Sequence, residues 1–281
     1  MQRPEIWGVL NVTPDSFSDG GLFLDAGAAV ARAEVMLAEG ADVIDVGGES
    51  TRPPGATYGA GAEPVGPEEE LRRVLPVVER LAKAGIRVSV DTQKADVAER
   101  ALGAGAAIIN DVSMGQSEAL LRAVASAGAG LVLMHSRGRG EVTAERTNYG
   151  NVATEVAAEL GAAATRASAV GVQKQRIWLD PGFGFAKTAE QSGALLGGLE
   201  AVVALGFPVL AGASRKSFLA ALAPNPDGTR PGAQHRLAAS VAAAVVAAAR
   251  GARAVRVHDV DFTRQALDLA CKVMHLSQTG R

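Results

Sequence analysis

The strongest constraint on this chain is a repeated alternation. A short β-branched run, almost uninterrupted in apolar character, ends in polar residues, and an alanine-rich segment with helical spacing follows. Read as strands, the runs are 6–12, 43–46, 87–90, 106–109, 131–134, 177–179, 208–211 and 254–257. Continuous apolar runs of this kind suit parallel strands covered on both faces. The segments between them carry helical stripes. Leu71, Val74, Leu75, Val78, Leu81 and Ala82 share one face of a 3.6-residue period, and Val152, Val156 and Leu160 recur every four residues. Gly40, Gly85, Gly128, Gly171 and Gly206 stand just before strands, where a left-handed residue closes a helix. Eight β-then-α units over 281 residues predict an α/β fold, a (β/α)8 TIM barrel, as a single domain over residues 1–281. A doubly wound open sheet is the competing arrangement, but no glycine-rich dinucleotide turn follows the first strand. Long loops are expected at 49–66 and 224–231.

Composition narrows the partners. Lys plus Arg is 28 and Asp plus Glu is 30, a net charge of −2, with 48% hydrophobic residues. That excludes disorder and argues against a nucleic-acid partner. A single cysteine cannot form an internal disulfide or a multi-thiolate metal site. Cys271 lies at helical spacing among Leu267, Ala270 and Met274 and reads as a buried, inert thiol. The start of the chain has no signal-peptide pattern. The longest apolar stretch, 237–249, includes Ser240 and lies between Arg236 and Arg250. A bilayer span needs roughly 20 residues, so no membrane association is expected and the protein is read as cytoplasmic.

In a barrel of this kind, functional groups collect at the carboxyl ends of the strands. The residues there are Asn11, Glu49 to Arg52, Asp91, Asn110 and Asp111, His135, Asp180, Ser214 to Lys216, and Arg256 to His258. An isolated Asp or Asn at such a place is more often a helix cap. Eight converging polar ends instead predict a pocket. Lys216, Arg256, His258 and Arg52 supply the charge and donors that suit a phosphate group. Asn11, with Asp15 and Asp19 nearby, offers oxygen ligands for a hard cation such as Mg²⁺. Asp91, Asn110 and Asp180 can pair with a planar heterocycle carrying N–H donors. No residue stands out as a covalent nucleophile. The residues thus describe displacement of a phosphate leaving group from a polar heterocycle.

These residues lie in longer motifs. Residues 11–21, Asn-Val-Thr-Pro-Asp-Ser-Phe-Ser-Asp-Gly-Gly, and 45–53, Asp-Val-Gly-Gly-Glu-Ser-Thr-Arg-Pro, resemble the two N-terminal signatures of dihydropteroate synthases. The resemblance continues through 89–92, 109–113, 180–185, 214–218 and 256–260, in family order over nearly the whole chain. It implies a transferase of folate biosynthesis and a sulfonamide target. Such an enzyme joins 6-hydroxymethyl-7,8-dihydropterin diphosphate to p-aminobenzoate, releasing pyrophosphate. By resemblance, Asp91, Asn110, Asp180 and Lys216 hold the pterin and Arg256 covers its ring. Arg256 and His258 grip the diphosphate, and Asn11 binds the Mg²⁺ that accompanies it. Thr51 and Arg52 belong to a second loop on the diphosphate side, and Asp15 and Phe17 to a first loop. Both loops close the p-aminobenzoate pocket, and Ser217 meets the p-aminobenzoate carboxylate. The implied reaction is a dissociative displacement at the pterin methylene.

The chain departs from the family pattern in three places. Pro53-Pro54-Gly55 replaces a single proline in a lengthened loop, Ala186 stands where glycine is common, and Ser136 where a larger residue is common. The alternatives to a synthase are a pterin-binding methyltransferase-type barrel, a catalytically silent pterin-binding barrel, and an aldolase using Lys216 as its amine. His135 is either a rim hydrogen-bonding residue or a catalyst and receives no role. His235 and His275 are read as exposed or structural. The family resemblance also implies a homodimer through late helices. The alanine-rich run 240–249 suits either that interface or packing inside one chain.

Overall fold

A computed structural model describes residues 3–13, 26–49, 65–138 and 143–279, the side chains of 276–279 excepted. The elements alternate as expected. In chain order they are β1 (Glu5–Asn11), α1 (Ala26–Glu39), β2 (Val43–Gly47), α2 (Pro67–Lys83), β3 (Val88–Asp91), α3 (Ala95–Gly103), β4 (Ile108–Asp111) and α4 (Glu118–Ala127). The second half adds β5 (Gly130–Met134), α5 (Val152–Val170), β6 (Ile177–Asp180), α6 (Ala189–Gly197), α7 (Glu200–Val203) and β7 (Leu210–Ala211). It ends with α8 (Ser217–Leu222), α9 (Leu237–Ala249), β8 (Ala254–Val257) and α10 (Val260–Thr279). The sheet is parallel throughout, in the order β6-β5-β4-β3-β2-β1-β8-β7. A bridge between Leu179 and Val209 joins its two outer strands, and the sheet becomes a (β/α)8 barrel.

Most strands shift by a single residue from their sequence limits, and two shift by two residues. β4 begins at Ile108, because the Ala106 N–H is already used to close α3 on the Ala101 carbonyl. It runs on through Asn110 and Asp111, which pair with Val132 and Leu133 of β5. β7 is short because Pro208 has no N–H to give. Pro208 instead accepts a hydrogen bond from Leu179. The five glycines before strands all have positive φ, as their positions predict. In α2 the buried face holds Leu71, Val74, Val78 and Leu81, with Val77 in place of the half-buried Leu75 and Ala82.

One correction concerns the last helix. Cys271 is partly exposed on the flank of α10, between exposed Leu269 and Val273, while Leu267 turns fully inward. In α9, Ser240, Ala243, Ala244, Ala247 and Ala248 are buried within the chain. Residues 224–231 form an exposed turn pinned by Asn225 and Thr229. His235 and His275 are exposed. Among the described residues, no helix is long and apolar enough to cross a membrane.

Strand periodicity divides the sheet residues into two environments. Ile44, Val46, Val88, Val90, Ile109, Leu131, Leu133, Ile177, Leu179 and Val255 join the large core between sheet and helices. The alternate positions Trp7, Val43, Ile108, Val132, Leu210 and Ala254 form a separate cluster inside the barrel, with Trp178 against it. The rings of Trp7 and Trp178 lie 5.4 Å apart between centroids. This apolar layer plugs one end of the barrel. Two residues further along these strands the inward positions become Val9, Asp45, Asn110, Met134, Asp180, Gly212 and Arg256. The polar site is therefore the next layer above an apolar floor.

Candidate active site

Asp45, Asn110, Asp91 and Asp180 are all buried, and each is placed by a strand rather than by the loop after it. Asp91 pairs in register with Asn110, and Gly47 with Asp91. Arg256, on β8, reaches across the barrel interior. Its Nε donates to Asp45 Oδ2 at 2.6 Å, and its Nη2 donates to Asp91 Oδ2 at 3.1 Å. Asn110 Nδ2 donates to the same Asp45 oxygen at 3.3 Å. Asp45 was not singled out from the sequence, where it was only one residue of a motif. Its inward position, two residues after Val43, is the signal that marks it.

Asp180 ends β6 at the opposite side. Its Oδ1 accepts the Gly182 N–H at 2.7 Å, and burial raises its pKa above the ordinary carboxylate value. Gly182 has φ +64°, and a Cβ there would lie 2.0 Å from the His135 carbonyl oxygen. Only glycine allows this turn. Lys216 Nζ donates to the Phe183 carbonyl at 2.7 Å and lies 4.6 Å from the centre of the Phe185 ring. Burial pulls its pKa down to about 8, while the Asp180 charge acts in the opposite direction. Lys216 therefore stands beside the loop that follows Asp180.

Not every polar atom of this layer is used internally. Asp45 Oδ1, Asn110 Oδ1 and Ser89 Oγ are buried and have no hydrogen-bond partner among the described residues. Acceptors left over in this way cost free energy unless something donates to them. A flat heterocycle bearing N–H groups has the complementary chemistry.

The other predicted residues lie around the rim. Asn11 is the last residue of β1, paired in register with Gly47. A Cβ at Gly47 would lie 3.4 Å from Asn11 Oδ1. His258 follows β8, and its Nδ1 lies 3.0 Å from Ser214 Oγ. Arg256 and His258 are thus close in sequence, but the described hydrogen bonds of the Arg256 guanidinium run inward to carboxylates. Ser217 opens α8 and is half-buried. Asp15, Phe17, Thr51 and Arg52 lie outside the described residues. At the base of the second loop, Arg73 donates to the Gly48 carbonyl at 2.9 Å. Lys94 bridges Glu49 and the buried Glu70. The sequence reading did not identify Lys94 or Glu70, because a helical Glu and a loop Lys carry no motif.

A closed barrel with an apolar plug, a carboxylate–amide–guanidinium layer above it and surplus acceptors inside has the chemistry to hold a flat heterocycle bearing N–H groups. Residues 7–258 match the family described as pterin binding enzyme. The dihydropteroate synthase of Mycobacterium leprae is 46% identical over 273 residues, covering 96% of this chain and 94% of the relative. The Xanthomonas albilineans dihydropteroate synthase solved with 4-aminobenzoic acid superposes with a TM-score of 0.87 at 44% identity, covering 97% of this chain and 93% of that one. The same enzyme solved with 7,8-dihydropteroate gives 0.84 at 41% identity, covering 97% and 94%. The chain belongs to the dihydropteroate synthase family.

Proposed function

We propose that the polar layer above the tryptophan plug is the seat of the dihydropteroate synthase reaction in this chain. There, 6-hydroxymethyl-7,8-dihydropterin diphosphate and p-aminobenzoate become 7,8-dihydropteroate and pyrophosphate. The observation that carries the reading is the set of buried acceptors on Asp45, Ser89 and Asn110, which sits beside Asp91, Asp180 and Arg256. The pterin ring donates its N–H groups to these acceptors. Asp91, Asn110, Asp180 and Lys216 hold it, and Arg256 covers it.

The chemistry follows from the charges. The bond between the pterin methylene and the diphosphate oxygen breaks, and its electron pair leaves with pyrophosphate. Positive charge then develops on the pterin methylene. Asp180 and Asp91, fixed before the reaction starts, stabilise it without reorganisation. The aniline nitrogen of p-aminobenzoate is neutral, and its lone pair forms the new C–N bond. The nitrogen then releases its proton. Arg256 and His258 supply positive charge toward the departing diphosphate, with Thr51 and Arg52 of the second loop. Ser217, at the first turn of α8, meets the p-aminobenzoate carboxylate, and Asp15 and Phe17 complete that pocket.

A Mg²⁺ requirement fits the donor set. The Asn11 amide oxygen borders a space that a Cβ at Gly47 would begin to fill. One protein oxygen suits an ion that keeps waters and takes its other ligands from substrate phosphates. Asn11 would hold it, and when bound it supplies charge neutralisation at the diphosphate.

Assembly and location belong to the same reading. Phe262, Leu269 and Val273 expose one apolar stripe of α10, and Val246 is exposed on the neighbouring α9. That surface supports a homodimer through the late helices, checked by light scattering. The absence of a membrane-spanning helix among the described residues accords with a cytoplasmic site of action.

The deciding experiment measures pyrophosphate release from the pterin diphosphate with Mg²⁺, with and without p-aminobenzoate. Release together with dihydropteroate formation is expected. Pterin binding without any release would favour a silent barrel. Unchanged turnover in chelator would remove Mg²⁺ from the mechanism.

A further inference from the structure

Behind the loop that follows Asp180 lies a charged cluster that the reaction above does not use. Lys187 is 3% exposed. Its Nζ has three partners: Gly182 O at 3.1 Å, Phe185 O at 3.0 Å and His135 Nδ1 at 2.9 Å. An ammonium has three N–H donors, and three acceptors use all of them. Because His135 Nδ1 accepts from Lys187, the imidazole proton sits on Nε2. It donates to Glu159 Oε2 at 3.0 Å. His135 is fully buried, and burial lowers its pKa, which keeps the ring neutral in this role.

The chain of contacts continues outward. Arg137 donates to Glu159 and Glu155, and its guanidinium lies 3.7 Å from the centre of the Tyr149 ring. The Tyr149 hydroxyl donates to the Ala186 carbonyl at 3.1 Å. Three carbonyls of one short loop, on Gly182, Phe185 and Ala186, are therefore held from behind. Lys216 holds a fourth, on Phe183, from the pocket side. The same loop supplies the Gly182 N–H that orients Asp180.

We propose that Lys187 is a positioning residue for the pterin site. Linked through His135 to Glu159, it fixes the 182–186 loop, and through that loop the Asp180 carboxylate and the carbonyl on which Lys216 docks. The proposal rests on the reading of this layer as the pterin pocket. Lys187 itself touches no atom of that layer's unpaired acceptors. Its charge is expensive to bury, and burial with the nearby Lys216 charge pulls its pKa down to about 7. A side chain serving only to fill space would not need that charge. All three of its hydrogen bonds instead end on, or directly behind, the loop that follows Asp180.

The test uses the full-length enzyme with Lys187→Met and Glu159→Gln. Glu159 is at the outer, part-exposed end of the cluster, so Glu159→Gln keeps the test available if Lys187→Met fails to fold. Pterin affinity is read directly by fluorescence quenching, KM is measured separately for the pterin diphosphate and p-aminobenzoate, and Tm is recorded. Lys187→Met is expected to weaken pterin binding and raise the pterin KM by about tenfold or more, with the p-aminobenzoate KM within about twofold. Glu159→Gln should move the pterin terms in the same direction by less. Unchanged pterin affinity in either folded variant would overturn the proposal. So would a parallel worsening of both KM values alongside a lowered Tm, the pattern of general loosening. The direct affinity measurement separates this result from any failure of turnover in the wild-type chain.

Discussion

Arg256 Nε lies 2.6 Å from Asp45 Oδ2, an ion pair that joins the last strand of the barrel to the second across its interior. Asp45 is fully buried and the Arg256 side chain is 19% exposed. Arg256 also reaches Asp91 at 3.1 Å, so one guanidinium ties three strands together at the level where the pocket begins. The pair closes the polar layer structurally and presets its charge.

Removing one partner strands the other. Asp45→Ala leaves Arg256 with Asp91 alone and removes the acceptor of Asn110 Nδ2. Losing one side of a buried pair costs about 3–5 kcal/mol. The remaining Asp91 contact should hold the loss near the lower end. Denaturant unfolding should show that loss, and pterin affinity should fall with it. Asp45→Asn, which keeps the shape, should recover part of the stability but little of the affinity. Wild-type stability in Asp45→Ala would mean that Arg256 is held by Asp91 and solvent alone.

Lys216 sets an alkaline limit. With its pKa lowered to about 8, it is protonated at neutral pH and loses its charge well below the ordinary lysine range. kcat/KM for the pterin substrate should hold toward pH 7 and fall with unit slope above about 8. Lys187, at about 7, adds an earlier and shallower decline. Stability runs the other way. Between these values and the ordinary 10.5, the unfolded chain binds protons that the native chain does not, so unfolding free energy rises with pH across that window. Lys216→Arg, charged throughout, should flatten the limb that begins near 8. A limb unmoved in that variant would assign the titration elsewhere.

The barrel was legible in the sequence because its two signals reinforce each other. Continuous β-branched runs mark parallel strands, and glycines such as Gly85 and Gly128, both left-handed, mark where helices end. The positions of Asp91, Asn110 and Asp180 were legible for the same reason, since each ends an apolar run. Asp45 was not, because it sits inside its run, between Ile44 and Val46. Only the barrel's inward parity separates it from them. His135 and Lys187 were illegible in a different way. They are 52 residues apart and meet only when β5 and β6 lie side by side. The depth of Cys271 was misread because its helical spacing points to a shared face with Leu267, but not to how far round that face burial extends.

Ala186 carries strain that glycine would release. Its φ is +48°, in the left-handed region, which costs a side chain with a Cβ about 1–2 kcal/mol. The methyl is buried, and losing it costs about 0.8 kcal/mol of transfer free energy. The Tyr149 hydrogen bond goes to the Ala186 backbone carbonyl and survives the change. The freedom that glycine returns to the unfolded chain costs about 0.4–1 kcal/mol. Ala186→Gly should therefore hold stability within about 1 kcal/mol of wild type, read as a small shift in Tm. A loss well beyond that would show that the methyl's packing outweighs the backbone strain.

Gly212 offers the sharpest separation of folding from binding. It follows β7 and occupies the same inward layer as Asp180 and Arg256. A Cβ built on it lies 3.4 Å from Asp180 Oδ2 and 3.9 Å from the Arg256 Cβ and Cδ atoms. These are ordinary contact distances, and its φ lies outside the left-handed region, so alanine fits without strain. Restricting the unfolded chain gives Gly→Ala about 0.4–1 kcal/mol of added stability at such a site. The same methyl would crowd the Asp180 oxygen that the Gly182 N–H does not use, the one available to a pterin N–H. Gly212→Ala should therefore unfold at the wild-type temperature or slightly above it, while its pterin affinity falls by about tenfold or more, since a displaced hydrogen bond to a charged group is worth roughly 1.5–3 kcal/mol. Calorimetry and pterin titration on one preparation decide it. Unaltered affinity would mean that Asp180 Oδ2 does not face the substrate, and the pterin would then have to be held by the Asp45, Asp91 and Asn110 side of the layer.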